Sequence, residues 1–346
     1  MSRKGEAAGL VARQPRETVS LHGHGEAEAV LLEAYRGGQC PHAWLVGGPH
    51  GIGKATLAYR MARFVLANPL PSAPAVQKAS SLAVDAAHPA ARRIAADTHG
   101  GLLVLERTLN DRGVLRSEIA VDDARKTIPF FGATSAEGGW RVCIVDTVDE
   151  LNANSANALL KVLEEPPARA LFLLVSNAPA RVIPTIQSRC RRLTLRTLAT
   201  DDVIRAVADA AGIEADDREL VEAAGLAEGS VARALLLLGG ETLGLQHKTE
   251  ALLKALPQLD PKGLHGLGDS LTGNDRAALL AFTDALERWM AAQLRGERAN
   301  SDLPRLARLS EVWEKVGRAV RETQEYNLER KPLVFSVFGM LAEAMR

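Results

Sequence analysis

The stretch Ala43-Trp-Leu-Val46-Gly-Gly48-Pro-His-Gly51-Ile-Gly53-Lys54-Ala55-Thr56 decides the fold. Four apolar residues, enough for a short buried strand, run into two glycines, and a helical pattern begins at Lys54 and continues to Leu66. A strand that turns through glycines into a helix is the setting in which GxxxxGK[ST] cradles phosphate. Gly48, Gly51 and Gly53 let backbone N–H groups face phosphate oxygens, the helix N-terminus adds partial positive charge, and Lys54 is placed for the β- and γ-phosphates. One position departs from the pattern. Ala55 follows Lys54 where a hydroxyl would ligate Mg²⁺. Thr56 stays among the nucleotide-site residues, but it lies one residue further on, roughly 100° around a helix, and is not expected to replace that ligand.

On either side of the loop, strand-like and helix-like pieces alternate. Helices are expected over 26–35, 54–66, 121–131 and 155–163, and strands over 43–46, 102–105, 141–145, 170–175 and 192–195. Continuous apolar strands alternating with helices predict a parallel sheet covered on both faces. Residues 68–98, with Pro69, Pro71, Pro74 and Pro89, are expected to form an insertion or long loop. Glu164-Glu165-Pro166-Pro167 ends a helix, because proline cannot continue its hydrogen bonds. Beyond Thr200 the strands cease. Residues 201–237 read as three short helices, and 246–256, 274–295, 305–325 and 334–345 as longer ones. The expected domains are an α/β P-loop domain over 1–197, a three-helix domain over 198–240 and an all-helical domain over 241–346.

Val142-Cys-Ile-Val145-Asp146 is an apolar strand ending in a carboxylate, the position from which P-loop ATPases hold the Mg²⁺ shell. Many follow it with a glutamate that activates water; here Thr147, with no useful basicity, occupies that slot. Asp149 and Glu150 lie beyond the slot and read as solvated loop carboxylates.

Composition narrows the function. Hydrophobic residues make up 47% of the 346, which excludes wholesale disorder. Lys plus Arg and Asp plus Glu number 42 each, so no global field draws the chain to nucleic acid or membrane, and any such binding must be local. Seven Phe, four Trp and three Tyr are too few for base stacking to be the main business. Cys40, Cys143 and Cys190 lie far apart and make neither a CxxC clip nor an even disulfide set, so a reducing, cytoplasmic setting is expected. Ala7 to Ala12 is too short for a signal-peptide core, and no apolar run approaches the roughly 18 residues of a membrane span.

Asn157-Ala-Leu-Leu-Lys161-Val-Leu-Glu164-Glu-Pro-Pro167, then Phe172-Leu-Leu-Val-Ser-Asn177, then Ser188-Arg189-Cys190 resembles the core of bacterial clamp-loader AAA+ subunits of DNA polymerase III. The last triplet matches their SRC motif. His42 to Val46, Gly51 to Ala58 and Gly229 to Leu235 are similar to the stator-type members, and the resemblance fades over 68–98 and after 240. It implies a RecA-like AAA+ domain with a parallel sheet, a small helical lid, and an all-helical collar that assembles a pentamer. It also implies that Arg189 reaches into a neighbouring subunit's ATP site as an arginine finger. Asn177 stands where the family places sensor 1. Arg233 lies near the lid's sensor 2 arginine, one residue later than in hydrolysing relatives, with plain lid packing as the alternative.

Several further expectations follow from the resemblance. ATP with Mg²⁺ can bind, while Ala55 and Thr147 argue against hydrolysis by this chain. No zinc is expected: the family's four-cysteine module falls in 68–98, which lacks cysteine here, and His88 and His99 alone cannot complete a tetrahedral site. Lys161 is either a contact for DNA backbone or a neighbour, or a solvated helix lysine. The implied partners are gamma/tau and delta subunits, a sliding clamp and primed DNA, with no membrane. Two rivals remain: an active motor ATPase of the same fold, and a stand-alone P-loop kinase acting on a small molecule.

Overall fold

A computed structural model describes residues 11–109, 116, 118–132, 139–240, 242–271, 276–295, 303–326 and 328–345. Five strands, β1 (Ala43–Gly47), β2 (Leu102–Glu106), β3 (Arg141–Asp146), β4 (Ala170–Ser176) and β5 (Arg191–Thr194), form one sheet in the order β2-β3-β4-β1-β5. Every neighbouring pair is parallel. Parallel neighbours need crossover connections, and the helices between the strands supply them. These are α2 (Lys54–Ala67), α3 (Pro74–Lys78), α4 (Pro89–Ala95), α5 (Val121–Arg125), α6 (Thr127–Gly132), α7 (Ala153–Glu164) and α8 (Pro184–Gln187), while α1 (Gly25–Arg36) precedes β1.

Alternate strand residues divide between the two faces, as the period of two requires. Trp44, Val46, Val142, Ile144, Leu171 and Leu173 pack with α1 and α2 on one face. Leu45, Cys143, Val145, Phe172 and Leu174 pack with Phe131, Leu159 and Leu163 on the other. Both faces are apolar because both are covered, so the strands read as continuous runs and not as alternating ones.

The chain forms two compact units, Val11–Ala234 and Leu235–Arg346. The first also contains α9 (Thr200–Ala211), α10 (Arg218–Leu226) and the first half of α11 (Val231–Leu238). The expected boundary at 197 falls inside it, and the one at 240 lies close to the seam. The second unit is helical: α12 (Thr242–Lys254), α13 (Pro261–Ser270), α14 (Arg276–Arg295), α15 (Leu303–Glu325) and α16 (Arg330–Ala344) surround Leu253, Phe282, Leu286, Val334 and Phe338. Among the described residues, no helix is long and apolar enough to cross a membrane.

Three local expectations are corrected. Residues 68–98 are not a bare loop: α3 and α4 each begin with a proline, and Val76, Leu82 and Ile94 are buried against the main core. A proline at the first helical position costs no hydrogen bond, which is why these proline-rich residues start helices. The single helix expected over 121–131 is two, because Pro129 cannot donate to the carbonyl of Arg125 and its ring crowds it. Helix α13 was not anticipated, since Gly263, Gly266 and Gly268 dilute its pattern. Its Asp260 cap accepts from the Lys262 N–H, Leu264 and Leu267 are buried, and a Cβ at Gly268 would fall 2.7 Å from Lys331 Cγ of α16. The close approach of two helices is the reason for glycine there.

A strap formed by residues 11–24 crosses the first unit. Arg63 Nη2 donates to the carbonyls of Arg16 and Thr18 at 3.1 and 3.0 Å, and Arg60 donates to the Val19 carbonyl and to Glu28. Both arginines are buried on α2. At its other end the strap meets α9, through Arg13 N–H to the Ala210 carbonyl at 2.8 Å and His22 to Asp209 at 2.7 Å.

Phe172 is fully buried, with its ring centroid 4.6 Å from that of Phe131. Phe172→Ala is expected to destabilise the first unit by about 3–5 kcal/mol, the usual cost of emptying an aromatic core site. Urea denaturation followed by tryptophan fluorescence measures this through Trp44, which lies in the same sheet.

Candidate functional site

The phosphate-loop residues meet at the carboxyl edge of the sheet. β1 ends at Gly47, and the chain turns through Gly48, Gly51 (φ 76°) and Gly53 (φ 98°) before Lys54 opens α2. The positive φ at Gly51 and Gly53 is a conformation that L side chains rarely adopt. Gly48 N–H donates to the Ser176 carbonyl at 3.3 Å, so the loop leaves the sheet beside the end of β4, where Asn177 follows. Lys54 is 3% exposed, and its Nζ donates to the Pro49 carbonyl. Thr56 lies half-buried in the first turn of α2.

Asp146, at the end of β3, stands in register with Glu106 at the end of β2. Burial, reinforced by Glu106, pushes the Asp146 carboxyl up to about 6, with Lys54 opposing the shift. Burial likewise depresses the Lys54 ammonium to about 8, against the pull of Asp146 and Asp149. The chain therefore brings Gly48, Gly51, Gly53, Lys54, Asp146 and Asn177 to one edge, and burial draws the Lys54 and Asp146 pKa values toward each other while both groups stay mostly charged at pH 7.

Asp149 and Glu150 are not solvated loop carboxylates, contrary to expectation. Asp149 Oδ1 accepts the Asn177 N–H at 3.0 Å, tying the loop after β3 to the residue after β4. Glu150 pairs with Arg107 Nε at 2.7 Å. His24 was missed as well. It is buried at the start of α1, and its Nε2–H donates to the Ile52 carbonyl at 2.7 Å, supporting the loop from below. Burial lowers its pKa, against the opposing effect of the bond to Ile52. Burial, with Lys54 adding to it, also lowers that of His50 within the loop.

The start of α11 lies on the loop. Ala232 N–H donates to the Gly51 carbonyl at 3.1 Å, and a Cβ at Gly51 would fall 2.4 Å from Ser230 Oγ and 2.7 Å from Ala232 Cβ. Arg233 follows on α11. Its backbone N–H donates to Ser230 Oγ at 3.3 Å, and its Nη1 pairs with Glu228 at 3.2 Å. The pair binds two neighbouring parts of the 198–240 segment to each other.

Whether this edge fits a nucleoside triphosphate with Mg²⁺ follows from its donors. The glycine turns, the N-terminus of α2 and Lys54 suit phosphate oxygens. Asp146 is the carboxylate on this edge close enough to Lys54 to act on its charge, and Ala55 has no side-chain oxygen to set beside it.

Arg189 has its contacts elsewhere. Its Nη2 pairs with Glu164 Oε1, at the end of α7, at 2.8 Å. Its Nη1 donates to the Thr185 carbonyl at 2.9 Å and lies 3.4 Å from Ser188 Oγ. About a third of the side chain is exposed. The surrounding sequence carries a signal that spacing motifs overlook. Between Pro166 and Thr200 stand Arg169, Arg181, Arg189, Arg191, Arg192 and Arg196, with no Asp or Glu. A carboxylate for any of them must come from outside this stretch. Lys161, on α7, is exposed.

Residues 23–199 match the family model described as DNA polymerase III, delta subunit. The DNA polymerase III subunit delta' of Pseudomonas aeruginosa is 37% identical over 152 residues, 44% of this chain and 42% of that protein. The subunit delta' of Escherichia coli is 27% identical over 238 residues, 67% of this chain and 64% of that protein. The gamma/tau subunit of Mycobacterium tuberculosis is 25% identical over 300 residues, 80% of this chain and 49% of that protein. The chain thus spans about half or less of the Pseudomonas and Mycobacterium proteins. In fold it is similar to a solved gamma subunit-related protein of Thermotoga maritima, with a TM-score of 0.50 and 17% identity over 91% of this chain and 100% of that one.

The raised Asp146 pKa has a consequence for stability. The folded chain holds this proton more tightly than the unfolded chain, whose carboxyl titrates near 3.8. Stability is therefore lost as pH rises from there through about 6. Asp146→Asn, which carries no charge at any of these pH values, is expected to have a higher urea midpoint than the parent at pH 7.5. The two midpoints should converge at pH 4.

Proposed function

Because the chain belongs to the DNA polymerase III delta-subunit family and is most like its delta-prime members, we propose that it is the stator subunit of a clamp loader. In this reading it stands beside a gamma/tau motor subunit and offers Arg189 to that neighbour's ATP. A delta subunit completes the pentamer, which places a sliding clamp on primed DNA. The 198–240 segment acts as the lid, and 241–346 as the collar through which the subunits assemble.

One observation supports the proposal: the glycine loop and Lys54 lie at the carboxyl edge of the sheet, while Arg189 makes its contacts elsewhere, with Glu164 and Thr185. The glycine loop and Lys54 remain, but Ala55 offers no metal ligand, Thr147 no base, and α11 rests on Gly51. ATP can rest against Lys54, Asp146 and the loop, with Asn177 and Arg233 near its edge, while hydrolysis is left to the neighbour. Arg189 stands apart, paired with Glu164 and partly exposed. A planar guanidinium is the group suited to charge developing on a transferring phosphoryl. The stretch from Pro166 to Thr200 holds six arginines and no acid, which is in keeping with an anionic partner for Arg189.

Two measurements test this. In a complex rebuilt from gamma/tau, delta and this chain, Arg189→Ala is expected to leave assembly intact on gel filtration. It should remove the adjoining motor's share of DNA-dependent ATP turnover, since an in-trans arginine is worth roughly 10³–10⁵ at its own site. Unchanged turnover would overturn the reading. The chain by itself is expected to leave labelled ATP uncleaved when protein is in excess. Cleavage that disappears in Lys54→Ala would make the chain a motor.

A further inference from the structure

The ion pair between Arg189 and Glu164 joins two motifs that lie 25 positions apart in sequence. Glu164 is the last residue of α7, and prolines follow at 166 and 167. A carboxylate in the last turn of a helix faces the negative end of the helix dipole, so helix stability does not explain an acid at this position. The structure offers a different reason for it. Nη2 of Arg189 pairs with Glu164 Oε1 at 2.8 Å, while Nη1 donates to the Thr185 carbonyl of α8 at 2.9 Å. Two nitrogens of one rigid plane are thus held from two separate elements, which fixes both the direction and the tilt of the guanidinium. A guanidinium has five N–H donors, so these two contacts leave others for a further oxygen. About a third of the side chain remains open to receive one. No acid within 166–200 can take over the task, because there is none.

We propose that Glu164 is a positioning residue for Arg189. Its carboxylate and the Thr185 carbonyl hold the guanidinium plane in place before a neighbour's triphosphate arrives, so that no ordering is left to be done on encounter. This rests on the in-trans role of Arg189 proposed above. An arginine on a flexible stem loses side-chain freedom when it engages a phosphate, and a group already held loses less. The energetic yield is therefore expected in the neighbour's turnover and not in the fold, because an exposed pair of this kind adds little to stability.

The test uses the rebuilt complex with Glu164→Ala, Glu164→Gln, Arg189→Ala and the double variant Glu164→Ala/Arg189→Ala. Glu164→Ala is expected to slow the adjoining motor about tenfold, a cost in keeping with a misplaced catalytic group. In bulk turnover this reads as roughly nine-tenths of the Arg189→Ala loss, with the KM for ATP and the urea midpoint of the chain unchanged. Glu164→Gln, which still accepts a hydrogen bond, should recover part of the rate. In the Arg189→Ala background, Glu164→Ala should change nothing more. If Arg189→Ala itself has no effect, the in-trans reading fails, and this inference with it. If Arg189→Ala slows turnover but Glu164→Ala leaves it at or above the parent rate, the positioning role alone fails. A further loss from Glu164→Ala in the absence of Arg189 also overturns it, because the carboxylate would then act through some other group.

Discussion

Parallel pairing of the strands is the constraint from which the candidate site follows. When β1 to β5 all run the same way, their carboxyl ends lie along one edge of the sheet, and each crossover must leave from that edge. Glu106, Asp146, the glycine turn after Gly47 and Asn177 are side by side for this reason alone. The burial of both sheet faces supplies the rigidity. Trp44 and Val46 point to one layer and Leu45 to the other, so β1 cannot slip by one residue without exposing its apolar set. The loop that follows β1 therefore leaves from a fixed point. The Asp149 carboxylate on the Asn177 N–H and the His24 ring on the Ile52 carbonyl hold the edge from two sides.

The two candidate sites differ in how their surroundings treat charge. Around the loop, burial works against ionisation. The Lys54 ammonium is depressed to about 8, Asp146 is raised to about 6, and His24 and His50 are held toward their neutral forms. Arg189 lies near the surface, with its guanidinium held by Glu164 and the Thr185 carbonyl. The chain thus carries buried ionisable groups around the glycine loop and a partly exposed guanidinium at Arg189. The buried Arg60 and Arg63 form a third case: their donors are spent on strap carbonyls, so their work is structural and they anchor α2 directly behind the loop.

Much of this was legible in the residues. The apolar runs ending in Gly47 and Asp146 marked strands, and the glycine spacing before Lys54 marked the turn. The proline pair after Glu165 marked the end of α7. Each is a local pattern, in which a residue's neighbours in sequence settle its conformation. Legibility failed where the local pattern was diluted or where a single residue changed its meaning. The three glycines of α13 hid a helix that exists because it packs closely on α16. Pro129 split a helix whose apolar spacing continued straight through it. The prolines of 68–98 suggested a loop and in fact started two short helices, held by Val76 and Ile94 against the main core.

By itself, then, the sequence determined the five strands and most of the long helices, the glycine turn before Lys54, the missing hydroxyl at Ala55 and the family motif around Arg189. Tertiary structure alone decided that Asp149 binds Asn177, that α11 rests on Gly51 and that Glu164 grips Arg189. The physical reason is range. Dihedral preferences and apolar periodicity act between adjacent residues and are written in their order. A hydrogen bond or ion pair between distant segments depends on where the packed sheet has carried each of them.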